Sequence, residues 1–168
     1  MRGLSKQENK LVFSSKSGKM GVETERKFLV KGDFRKVATR KAEITQAYII
    51  VDPQKTIRIR IADDTAFITI KTKAPEGSFS RGEWEFEIPL GDAIELIDLC
   101  RPGRIIKTRY YVPAGKHTFE VDVFHDKNEG LIIAEIELEA ENEEYIRPDW
   151  LGEEVTGDPR YYNSNLIK

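Results

Sequence analysis

The chain has 168 residues, 39% hydrophobic and 33% charged, enough for one domain with a sizeable core. Lysine and arginine number 27 against 29 aspartates and glutamates, so the formal net charge is −2 and no global field draws nucleic acid or a membrane surface. Cys100 is the only cysteine, which excludes an intrachain disulfide and a cysteine-rich metal site and fits a cytoplasmic location.

Residues 1–19 are basic and serine-rich, with Leu11-Val12-Phe13 as their longest apolar run. A secretory segment needs about 7–15 apolar residues and a membrane span about 18, so neither is expected. The stretch reads as a flexible leader, and Met20 as the start of one domain over 20–168. From there the dominant period is two, which predicts strands over 22–30, 42–51, 56–62, 66–72, 82–89, 105–112, 117–124 and 131–141. Asp52-Pro53, Asp63-Asp64, Pro75-Glu76-Gly77, Pro113-Ala114-Gly115 and Asn128-Glu129-Gly130 punctuate them as turns. Eight strands at hairpin spacing imply antiparallel order. Helices are expected over 33–41, over 92–100 with Asp92 as cap and Pro102-Gly103 as stop, and over 158–167.

Alternation assigns each charge to a face. The first strand carries Glu23, Glu25 and Lys27 on one side. Arg58 and Arg60 oppose Ile57, Ile59 and Ile61. Lys71 and Lys73 share a side with Thr69, opposite Ile68 and Ile70. Glu83, Glu85 and Glu87 oppose Trp84, Phe86 and Ile88. Lys107 and Arg109 oppose Ile106, Thr108 and Tyr110. Glu120 and Asp122 oppose Val121 and Val123, and Glu135, Glu137 and Glu139 oppose Ile136 and Leu138. An antiparallel sheet with one wet face also alternates. Two details favour another architecture: the sign of charge is sorted strand by strand, and the opposite faces are large and aromatic. An eight-stranded barrel with its charged face inward and helices packed outside reconciles both, because eight strands leave room for side chains or one small ligand. Buried charges need partners. Basic rows ask for a polyanion, and acidic rows ask for a hard divalent cation such as Mg²⁺ or Mn²⁺.

These residues resemble the CYTH superfamily, the triphosphate tunnel metalloenzymes. The likeness rests on Glu23-x-Glu25-x-Lys27, then Arg58-x-Arg60, Lys71, Arg81-x-Glu83-x-Glu85, Lys107-x-Arg109, Glu120-x-Asp122 and Glu135-x-Glu137, in the family's order. Trp150-x-Gly152-x-Glu154-Val155-Thr156 and Arg160-Tyr161-x-Asn163 extend it to the C-terminus, as in the small bacterial members. The resemblance implies a tunnel open to solvent in which Lys27, Arg58, Arg60, Lys71, Lys107 and Arg109 grip a triphosphate. It also implies that Glu23, Glu25, Glu83, Glu85, Asp122, Glu135 and Glu137 hold one or two Mg²⁺ or Mn²⁺ ions. Lys107 is the implied general base, and Tyr48 a group that orients the terminal phosphate. The activity implied is metal-dependent hydrolysis of inorganic triphosphate to diphosphate and phosphate. Cyclisation of ATP as in class IV adenylate cyclases, hydrolysis of thiamine or nucleoside triphosphates, and non-catalytic polyphosphate binding are the alternatives. The expected partner is a small triphosphate, with no nucleic acid or membrane, and the chain is expected as a monomer or homodimer. His117 and His125 read as surface residues, and the acidic run 141–145 as a solvated connector. Trp150 is expected to anchor a C-terminal segment able to plug one tunnel end.

Overall fold

The period-two segments join one antiparallel sheet in the computed structural model, which describes residues 19–167. Its strands are β1 (Lys19–Val30), β2 (Arg40–Val51), β3 (Lys55–Ala62), β4 (Thr65–Thr72), β5 (Ser80–Ile88), β6 (Arg104–Ala114), β7 (His117–Phe124) and β8 (Ile132–Leu138), with a short β9 (Leu151–Glu154) after them. The expected leader, apart from Lys19, lies outside the described residues. Neighbours run β5-β4-β3-β2-β6-β7-β8-β1, and β1 pairs back onto β5. The sheet therefore closes into the expected eight-stranded barrel. β1 makes the seam: residues 19–24 pair with β5 and residues 24–29 with β8, while β9 lies along its far end at Phe28 and Val30.

The helices differ from expectation. Only α1 (Leu90–Leu99) is α-helical among the described residues; it starts after Pro89, and Asp92 sits in its first turn without capping it. The 33–41 segment holds just a 3₁₀ turn, Arg35–Val37, because β2 begins at Arg40 by pairing with Tyr111. The 158–167 segment breaks into two 3₁₀ turns, Pro159–Tyr161 and Asn163–Asn165. The Asp158 carboxylate accepts from the Arg160 amide there, and Asn and Ser side chains compete with helical bonding. No helix among the described residues is long and apolar enough to cross a membrane.

Apolar side chains leave the barrel outward and are covered in two places. α1 and the Cys100 that follows it seat Ala93, Ile97 and the cysteine side chain on Ala47, Ile59 and Ala66. Around the wall, Phe28, Phe119, Val121, Ala134 and Ile136 lie under an irregular cover built from Phe34, Trp150 and Leu151. Trp150 packs edge-on against Phe119 at 5.3 Å, and its carbonyl accepts from the Lys31 and Gly32 amides. Gly152 lets β9 approach β1, since a Cβ there would sit 2.7 Å from the Leu29 carbonyl oxygen. Gly152→Ala is therefore expected to push β9 off the seam and cost about 1–3 kcal/mol, read as a lower denaturant midpoint.

A third apolar group lies inside the barrel. Ile105, Phe124 and Ile133 point inward from β6, β7 and β8, and Leu166 of the C-terminal segment packs among them. These side chains form an apolar floor for that part of the bore, a well whose lining also includes Gly157 and Tyr162 of the C-terminal segment.

Candidate active site

Above that floor the well encloses about 1520 Å³. Glu23, Glu25 and Lys27 of β1, Tyr48 of β2, Arg58 and Arg60 of β3, Lys71 of β4, and Arg81, Glu83 and Glu85 of β5 line it. Arg109 of β6, Glu120 of β7, and Glu135 and Glu137 of β8 complete the wall. The register produces this arrangement, because residues paired across antiparallel strands share a face. Lys71 pairs with Glu83, Arg81 with Glu23, Lys27 with Glu135 and Arg109 with Asp122. The cationic strands β4, β3 and β6 therefore lie on one side of the bore and the mainly anionic β7, β8, β1 and β5 on the other, meeting at the β4–β5 and β6–β7 pairings.

Their contacts are close. Lys71 Nζ donates to Glu23 Oε1 at 2.6 Å, and Arg81 Nε to Glu23 Oε2 at 3.0 Å. Lys71 Nζ also stands 3.0 Å from Glu83 Oε2, an ion pair without hydrogen-bond alignment. Arg60 Nη2 and the Thr69 hydroxyl both donate to Glu85 Oε2, at 3.0 and 2.8 Å, with Arg58 Nη2 3.7 Å from the same oxygen. Lys27 Nζ donates to Glu135, and Arg109 to Glu120.

Lys107 and Asp122 lie deeper, off the cavity lining, and both are 0% exposed. Lys107 Nζ donates to Asp122 Oδ2 at 2.6 Å and to Asn163 Oδ1 at 3.3 Å. Arg109 grips the same carboxylate with two nitrogens, at 2.7 and 2.8 Å. Asp122 thus spends both oxygens on cations.

Residues 21–162 match the family model for the CYTH domain. The chain belongs to the CYTH family. It is 47% identical over 150 residues to an inorganic triphosphatase of Acetivibrio thermocellus, covering 89% of this chain and 95% of that one. It is 35% identical over 152 residues to an inorganic triphosphatase of Nitrosomonas europaea, covering 86% and 95%. Among solved structures it is similar to the inorganic triphosphatase NE1496, with a TM-score of 0.62, 31% identity, and coverage of 86% of this chain and 93% of that one.

Electrostatics divide this CYTH site in two. Burial works to raise the Glu23 carboxyl, but Lys71 and Arg81 outweigh it and hold the group below the usual range. Glu25 goes the other way: burial, Glu135 and Glu23 push it up to about 7, and Lys27, 3.7 Å away, only partly offsets them. Glu137 stands directly across from Glu25 in the strand pairing, so carboxylates cluster on this side of the well. Its donors are all carboxylate oxygens, which suit a hard divalent cation. Among the described residues no three Asp, Glu, His or Cys side chains form a ready coordination set. Burial brings the Lys107 ammonium down to about 8 although Asp122 pulls it up.

Several site residues lay outside the expectations. Arg81 alternates with Glu83 and Glu85, so the same face rule reaches it. Glu120, the partner of Arg109, stands two residues from Asp122. The acidic run is a tie rather than a solvated connector. Glu141 Oε1 accepts from the Ser78 and Ser80 hydroxyls and the Phe79 and Ser80 amides, and Glu143 Oε1 accepts from Lys116 at 2.6 Å and contacts His117 Nε2 at 3.0 Å. One short segment thereby fastens the β4–β5 loop and the β6–β7 hairpin at the mouth. His117 is part of that fastening, and His125 Nε2 lies 2.8 Å from the Thr108 hydroxyl.

Proposed function

We propose that this chain is a metal-dependent triphosphatase that hydrolyses inorganic triphosphate to diphosphate and phosphate in the well. The observation that carries the reading is a cationic half of the bore facing a mainly anionic half, each now neutralising the other. A triphosphate chelated to a divalent cation replaces both sets of partners together: phosphate oxygens take Arg58, Arg60, Lys71, Arg81, Lys27 and Arg109, and the cation takes the carboxylates. Arginine forks suit phosphate oxygens in pairs. The similarity to two inorganic triphosphatases over most of both chains supports the same substrate.

Mg²⁺ or Mn²⁺ is the proposed ion, taking one or two of the carboxylates Glu23, Glu25, Glu83, Glu85, Glu135 and Glu137 together with phosphate oxygens. When bound it supplies positive charge to the phosphate oxygens and acidity to a coordinated water. The chain's part is positioning and charge stabilisation, which dominate phosphoryl transfer. The water oxygen bonds to the terminal phosphorus, the bridging P–O bond breaks, and diphosphate leaves with the electron pair. Arg58 and Arg60 neutralise the charge that gathers on that bridge. Tyr48, across from Arg58, orients the terminal group. Lys107, the base implied by the sequence, lies off the cavity lining and is bonded to Asp122, so its proposed part is to hold that carboxylate beneath Arg109, and the proton of the attacking water passes to a carboxylate of the acidic wall. The proposed setting is the cytoplasm, where a lone free Cys100 stays reduced.

The test offers triphosphate, ATP and thiamine triphosphate with Mg²⁺ or Mn²⁺ and follows phosphate, diphosphate and cyclic AMP. Equal phosphate and diphosphate from triphosphate is the expected result. Cyclic AMP from ATP, or tight binding without product, overturns it. Glu23→Gln and Arg60→Ala are each expected to lower turnover roughly 10²–10³-fold with the fold intact by circular dichroism.

A further inference from the structure

Gln46 sits in the middle of β2, inside the barrel, on the same face as Tyr48. It is 0% exposed, and neither its amide nitrogen nor its amide oxygen has a hydrogen-bond partner among the described residues. Directly across the β2–β3 pairing stands Arg60. Arg60 Nε is also buried and without a partner. A buried acceptor and a buried donor therefore face each other in register, and neither is satisfied. Native interiors rarely leave such groups unmade, and each one calls for an explanation.

The explanation lies in where Arg60 is now engaged. Its Nη2 donates to Glu85, which pulls the guanidinium toward β5. Arg58 lies beside it and adds to burial in disfavouring its charge. Partner exchange, as read above, moves the fork from Glu85 onto a phosphate. We propose that Gln46 is the positioning residue for Arg60 in the substrate-bound well, its amide oxygen accepting the Arg60 Nε–H once the fork has turned to the phosphate. The inference rests on the triphosphatase reading. It accounts for a glutamine among the inward Ile44 and Ile105, where leucine would satisfy packing without orphaned polar atoms. A side chain unsatisfied at rest and satisfied with substrate bound adds to differential binding.

The experiment compares the parent, Gln46→Leu, Arg60→Lys and the double variant. Three quantities are read: the unfolding temperature without ligand, its rise on adding triphosphate with Mg²⁺, and KM and kcat. Gln46→Leu is expected to match or exceed the parent's unfolding temperature without ligand. It is expected to lose most of the triphosphate-induced rise and to raise KM roughly 10–100-fold, the scale of a hydrogen bond to a charged group. In the Arg60→Lys background, which lacks the Nε–H, adding Gln46→Leu is expected to change KM little, the mark of coupled residues. Gln46→Leu with the parent's KM and triphosphate-induced rise overturns the proposal. A lower unfolding temperature without ligand, or an undiminished effect in the Arg60→Lys background, overturns it too, because either marks a purely structural glutamine. If the parent binds triphosphate without hydrolysing it, the triphosphatase reading fails, and the Gln46–Arg60 pairing stands or falls on the binding-induced rise across the same four chains.

Discussion

Asp122→Leu is expected to lower the unfolding midpoint by roughly 6–20 °C, the consequence of stranding two buried cations. Lys107 and Arg109 both rest on this carboxylate, which no solvent reaches. Breaking one partner out of a buried ionic group costs about 3–5 kcal/mol, because the charges left behind have neither water nor a counter-ion. That is a large fraction of the 5–15 kcal/mol typical of a folded domain. Adding Lys107→Met removes one stranded charge and is expected to recover part of the loss, whereas a loss caused by shape alone would persist. The pH dependence follows from the same contacts. Burial tends to raise the Asp122 carboxyl, but Arg109 and Lys107 bring it below its usual value of 3.8. Its stabilising contribution is therefore present above about pH 4 and is lost as pH falls through the depressed pKa. Acid titration of the parent and variant, followed by urea unfolding, checks both statements.

Glu25→Gln is expected to act in opposite directions on stability and on turnover. The folded pKa of Glu25 is raised from 4.5 to about 7, so the folded chain prefers it protonated. In the metal-free protein, stability is lost as pH rises from about 4.5 through 7, and the loss is complete above that. Glutamine has no proton to lose. With a chelator present, the variant is therefore expected to gain about 1–3 kcal/mol over the parent at pH 8, with a smaller gain at pH 5. With Mg²⁺ and triphosphate at pH 8, it is expected to lose roughly 10²–10³-fold in turnover, as one carboxylate of the negative cluster is gone. Mg²⁺ alone should stabilise the parent at pH 8 and the variant much less. Urea midpoints with and without Mg²⁺, beside initial rates, decide it. Equal stability at pH 5 and pH 8 in both chains would remove the electrostatic argument.

The barrel was legible because alternation survives translation into three dimensions. A residue two places from a known inward charge is also inward, which is why Arg58, Arg60, Glu83, Glu85 and Glu135 come together. Period two gives the face and not the depth. Lys107 and Arg109 look equivalent in sequence, yet Arg109 lines the well and Lys107 lies below it beside Asn163. That depth is set by the register between strands. Gln46 escaped notice because its strand presents Ile44, Gln46 and Tyr48 inward, with no run of like charge to mark them. The two missing helices had tolerable spacing but were overruled, one by strand pairing at Arg40 and the other by short polar side chains around Asn163. β9 is four residues with a glycine inside, too short for any period to show. Glu141 was unreadable for a different reason: its donors lie some sixty residues away, on a loop that only the closed barrel brings near.

The oily patch of Ile105, Phe124, Ile133 and Leu166 adjoins the charged wall of the bore beside the C-terminal segment. A multiply charged guest gains nothing from that greasy collar, so it is held at the ionic walls instead. The lacing of Glu141 and Glu143 around the entrance is where access to those walls can be adjusted.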